Sequence, residues 1–132
     1  MAHYVGYHSA DRMGYSADEI TDIGLYTNKA GAAEGDVIWV VAGDEGQPKA
    51  YRLAYWFVVD TIDTPADNQQ FGRTLYGTEH GVINRRLNDE SWFAAFLRRM
   101  GNFGRGLTRL EESEILIAFR RFAIEADHPA PE

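Results

Sequence analysis

Four histidines, at positions 3, 8, 80 and 128, are the first groups to weigh for chemistry. Their spacing places no two imidazoles on one helical face, and the chain has no cysteine, so neither a structural metal set nor a thiolate nucleophile is expected. His8 and Ser9 are neighbours in an extended segment. Their side chains therefore diverge and do not serve as base and nucleophile to one another. Asp60 and Asp63 follow a long apolar stretch, a place where carboxylates can hold magnesium, but the acid pair lacks the nearby lysine of many nucleases, Lys29 and Lys49 being the only lysines. Gly104-Arg105-Gly106 alone is too short to cradle a dinucleotide, and no phosphate loop of the Gly-x-x-x-x-Gly-Lys kind occurs. The residues point to a protein that is not an enzyme and carries no cofactor or metal.

Arginines and aromatic rings remain. The net charge is -7, which argues against coating nucleic acid by bulk attraction, yet residues 71–110 carry 7 positive and 3 negative charges. Arginine outnumbers lysine 11 to 2. A guanidinium gives forked hydrogen bonds to phosphate and stacks on bases, so this segment reads either as a local anion site or as an ordinary solvated face. Periodicity turns Trp39, Phe57, Trp92, Phe96, Phe119 and Phe122 inward as core. Tyr7, Tyr26, Tyr55 and Trp56 lie near strand ends or alternate with core positions, where their faces can line a pocket for a flat ligand.

The elements that must position these groups begin with residues 3–8, which alternate as a strand does. Ser16 with Glu19 three residues on forms a capping box for a short helix, and Leu25 to Lys29 is a second extended piece. Val37 to Ala42 is a continuous β-branched run, predicted as a central strand. A turn over Gly43 to Pro48 leads into Ala50 to Ile62, predicted as one long bent strand forming a hairpin with its predecessor. Phe71 to Gly77 gives another short strand. Asn88 to Ser91 starts a helix with the apolar stripe Trp92, Phe93, Phe96, Leu97 and Met100, and a turn over Asn102 to Leu107 precedes a last helix from Glu111 to Ala123.

Strands followed by helices, without repeats, indicate an α+β fold with a small curved β-barrel of mostly antiparallel strands and flanking helices. At 132 residues the chain suits one domain, taken as residues 1–124 with a flexible tail over 125–132. No window approaches the roughly 20 apolar residues of a bilayer span, and the opening lacks a secretion signal, so a cytoplasmic protein without membrane contact is expected.

Tyr4-Val5-Gly6-Tyr7-His8-Ser9, Leu25-Tyr26-Thr27-Asn28-Lys29 and Gly35-Asp36-Val37-Ile38-Trp39-Val40, in this order and spacing, resemble the EVE and YTH branch of the PUA-like superfamily. Trp92-Phe93 and Asn102-Phe103-Gly104-Arg105-Gly106-Leu107 are similar to EVE-like domains at the N-terminus of modification-dependent HNH restriction endonucleases. The resemblance covers most of residues 3–123 and implies a reader of a modified DNA base, such as 5-methylcytosine or 5-hydroxymethylcytosine, in a restriction-modification setting. It implies a base pocket edged by His8 and Ser9 and walled by Tyr26, Thr27 and Asn28, with Tyr55 or Trp56 completing an aromatic face. A base flipped from the stack would gain aromatic contact and directed hydrogen bonds there. Phosphates would fall to Lys29, Arg73, Arg85, Arg86, Arg98, Arg99, Arg105 and Arg109, with salt-dependent binding.

Other readings stay open. Ser9 can cap a turn, Asn28 can adopt a left-handed turn and Thr27 can be an ordinary strand residue. The partner can be RNA or a small nucleoside-like ligand, and exposed aromatics can serve a protein contact or a homodimer.

Overall fold

The computed structural model describes residues 1–9, 24–27, 32–44, 49–63, 73–100, 107–110 and 114–131. In chain order the strands are β1 (His3–Ser9), β2 (Gly24–Thr27), β3 (Val37–Asp44), β4 (Ala50–Val58), β5 (Thr61–Asp63), β6 (Arg73–Tyr76), β7 (His80–Arg86) and β8 (Thr108–Leu110). Helix α1 is Phe93–Arg99 and helix α2 is Glu114–Glu125. The helix predicted near Ser16 and most of the turn predicted over 102–107 lie outside the described residues.

The apolar run at Val37 becomes β3, the middle strand of a five-stranded sheet ordered β7-β4-β3-β1-β8. Every side chain from Val37 to Ala42 has 0% exposure, because both faces of this strand are covered. Val37, Trp39 and Val41, with Val5, Leu53 and Trp56, face the helices and meet Phe93, Phe96, Leu116, Phe119 and Phe122. Ile38, Val40 and Ala42, with Ala54, Tyr55 and Phe57, face the other way toward Leu25 and Leu75 of a three-stranded sheet ordered β2-β6-β5.

The class is therefore α+β, and the strand pairing is antiparallel except between β1 and β3, which run parallel. In place of the expected barrel the strands form two sheets, and no closed barrel occurs among the described residues.

The segment expected as one long strand divides. Its first part pairs with β3 as the predicted hairpin, and its end, β5, joins the small sheet. Between them the Asp60 carboxylate accepts hydrogen bonds from the Thr78 amide (2.9 Å) and hydroxyl (3.0 Å) and from the Thr61 hydroxyl (3.0 Å). These bonds, the Thr78 amide foremost, hold its pKa below the usual carboxylate value. Asp60 thus fastens the place where the chain changes sheets.

Asn88, predicted to open the first helix, works elsewhere. Its side chain accepts from the Tyr51 amide (2.7 Å) and donates to the Lys49 carbonyl (3.1 Å), while α1 begins after Trp92 with no side-chain cap. The residues after α2, expected to fray, make defined contacts. The His128 carbonyl accepts from the Trp56 indole (2.7 Å), its amide donates to the Ala123 carbonyl (2.9 Å), and Ala130 packs on the helix-side core. Gly81 permits this arrangement, since a Cβ there would lie 2.3 Å from the Trp56 indole nitrogen and 2.6 Å from His128 Cβ.

Candidate functional site

On the face of the large sheet turned toward the small one, register stacks three cross-strand rows. Tyr4, Ile38 and Phe57 form the first row, Gly6, Val40 and Tyr55 the second, and His8, Ala42 and Arg52 the third. Paired residues share a face, so the rows pass from one of two aromatic rings and an isoleucine to one holding an imidazole and a guanidinium on either side of a methyl group. His8 is buried and Arg52 half-buried.

Local sequence builds this gradient. Gly6 lets β2 lie close, because a Cβ at position 6 would sit 2.2 Å from Leu25 Cδ2. The Tyr55 hydroxyl donates to the Gly24 carbonyl at 2.7 Å, tying β4 to β2. Ala54 is an extra residue relative to β3, and Ile83 with Asn84 make an extra residue in β7, so both bulges fall beside Ala54 and coil the sheet there. Asn84 takes a left-handed conformation (φ 55°), which asparagine tolerates better than most residues. Its side-chain oxygen accepts from the Arg52 guanidinium. The bulge therefore aims one of the two polar groups of the third row.

Of the expected pocket residues, His8 and Tyr55 lie on this face in adjacent rows, with the Gly24 carbonyl of β2 on the Tyr55 hydroxyl. Ser9 ends β1 opposite Gly43, and Tyr26 and Thr27 pair with Thr74 and Arg73. Asn28, Lys29 and Arg105 lie outside the described residues. Trp56, the alternative to Tyr55, lies apart from these two. It neighbours Tyr55 along β4 and so points to the helix side, where its indole is committed to His128. Tyr7 also lies on that side, against Tyr51, with the Lys49 ammonium 3.4 Å from its oxygen. Burial first, and then Tyr7, raise the pKa of Tyr51, which stays a protonated phenol.

Among the described residues the expected phosphate contacts are spread over several elements. Arg85 pairs with Glu125 (3.2 Å) and Glu90 (3.8 Å) and lies over the Phe122 ring. Arg86 pairs with Asp89 at 3.2 Å. Arg109 is on β8, across the whole sheet from β7. Four strand spacings of about 4.8 Å put those edges about 19 Å apart. Arg98 and Arg99 are exposed in the last turn of α1. Arg73 is placed by its pairing with Thr27 in the small sheet.

Sequence reasoning missed Arg52 and Asn84. The available signal was a charged residue between Tyr51 and Leu53 in a strand otherwise apolar, but only register reveals that it shares a row with His8. Among the described residues no group of three or more acidic, histidine or cysteine side chains is arranged to hold a metal ion. No helix there is long and apolar enough to cross a membrane. Comparison with known proteins found no matching family model, no matching curated protein and no matching solved structure.

Proposed function

We propose that this chain is a non-enzymatic binding domain for a planar, base-like ring, taken into the seam between its two sheets. The observation that carries the reading is the row gradient. Apolar and aromatic residues lead to His8 and Arg52, so a flat ring gains contact area at one end of the seam and directed hydrogen bonds at the other. The finer fold reading, a PUA-like domain of EVE or YTH type, belongs to the same proposal. It is supported by the seven strands that precede the first described helix, the bulged central sheet and the close approach of β1 to β2. In that form the ring is a modified cytosine flipped from DNA, in a cytoplasmic restriction-modification role.

A second reading, a free nucleoside-like ligand, is favoured by the distribution of arginines. Cations already paired with carboxylates and set on opposite sheet edges release few counterions from a duplex, so salt dependence is shallow if the ring supplies most of the affinity. The test is thermal unfolding with cytidine, 5-methylcytidine and 5-hydroxymethylcytidine, beside mobility shifts of plain and modified duplexes at two salt concentrations. A rise in Tm with one modified nucleoside supports the free-ligand form, and retardation of a modified duplex alone supports the DNA form. No response to any of them contradicts ring binding.

A further inference from the structure

The opposite end of β1 holds a contact that ring binding does not use. His3 pairs with Val37 and Leu110 in the sheet, is 5% exposed, and lies on the helix side stacked on Trp39. The Trp39 indole N–H reaches His3 Nδ1 at 3.0 Å. On the other side of the ring, Arg120 Nη2 of α2 is 3.2 Å from His3 Nε2. An indole and a guanidinium can only donate. Both nitrogens of this imidazole thus face obligate donors, and a neutral ring, with one lone pair in its plane, satisfies only one of them. The Arg120 Nε is also buried without an acceptor among the described residues.

We propose that the His3–Trp39–Arg120 contact is an acid-sensitive latch between α2 and the sheet, closed while the neutral imidazole accepts one of its two facing donors and let go when a second proton leaves it able to accept neither. A doubly protonated ring would set two N–H groups against two N–H groups in a buried place, where unpaired donors and like charges are most costly. The surroundings agree. From α2 comes the Arg120 guanidinium, from β3 the Trp39 indole, from β8 the apolar Leu110, and from the start of the chain the α-amino group of Met1.

Asp36, before β3, is the one anion among the described residues that favours the proton, and its two oxygens accept the Ala2 and Ala33 amides at 2.9 Å each. Burial, Arg120 and the α-amino group outweigh it and lower the pKa of His3 from 6.5. The sign follows from linkage. Above 6.5 the ring is neutral in both states and the latch contributes fully. As pH falls below that value the released state takes the proton first, and the contribution is lost until the lowered folded value is reached, by at most about tenfold in the release equilibrium per pH unit.

The test is NMR of the full chain with isotope-labelled histidine and tryptophan between pH 8 and about pH 4, a range that brackets the ordinary histidine pKa. The expected result is a His3 ring that carries one proton at neutral pH and titrates below 6.5, with protection of the Trp39 indole proton, taken relative to free indole at each pH, falling at least about tenfold over the same interval. A His3 that titrates at or above 6.5, or an indole protection relative to free indole that is indifferent to that titration, overturns the proposal. His3→Gln keeps an acceptor without a titrating group and should remove the acid-dependent step in indole protection, whereas an unchanged step contradicts the latch. If that variant does not fold, Arg120→Gln serves instead. It should raise the His3 titration point, and an unmoved value contradicts the role given to Arg120.

Discussion

The two faces of the five-stranded sheet are made by the same strands and differ in what they leave undone. On the helix side, large rings fill the space, and Trp39, Trp92 and Phe96 each meet Phe119 with centroids at 5.7, 6.2 and 6.1 Å. The face toward the small sheet is built from smaller residues at its middle and polar end, Gly6, Ala42 and Ala54. One face is committed to stability. The other combines contact area with aimed polar groups, the combination a ligand site requires. Alternation along a strand lets a single run of sequence serve both purposes without mixing them.

If that division is right, the helix side should dominate stability. Phe119→Ala removes a side chain of 0% exposure and is expected to cost about 3–5 kcal/mol in denaturant unfolding. A loss below about 1 kcal/mol would show that this face is loosely packed and erase the contrast.

The next largest effect belongs to the seam. Gly6→Val drives a branched side chain into Leu25 and should cost about 1–3 kcal/mol. Leu25→Ala on the same chain should recover part of it, so a double-mutant cycle that shows no coupling would place β2 elsewhere than against β1. Arg52→Gln removes the charge from the polar row and should weaken ring binding by at least about tenfold, or about 1.4 kcal/mol, in calorimetric titration. Arg86→Ala should be the smallest. Its ion pair with Asp89 is exposed on both sides, so less than about 0.5 kcal/mol is expected in unfolding, with little change in duplex retardation.

The helix-side face was legible from sequence because periodicity alone specifies it. The β-branched run at Val37 and the stripes through Phe96 and Phe119 each identify a buried surface without knowledge of their partners. The seam was legible only in part. Tyr55 and His8 stand out by type, but whether Tyr55 or Trp56 faces β2 depends on register, and register is set by pairings between strands distant in the chain. The strand β7 escaped notice because its exposed, arginine-rich end carries a bulge, which breaks the alternation that marks a strand. The tail looked free because its anchor is a carbonyl, and a backbone group leaves no trace in residue type. Grouping arginines by sequence segment failed for a similar reason, since residues 71–110 span both edges of the sheet.

The central claim is that a planar ring enters between the sheets. Amide NMR titration with 5-methylcytidine and 5-hydroxymethylcytidine tests it most directly, because the two faces carry separate reporters. The account predicts shifts at Gly6, His8, Ala42, Arg52 and Gly24, with Phe93–Arg99 and Glu114–Glu125 unmoved. Shifts confined to the helices, or none with either nucleoside, would contradict it.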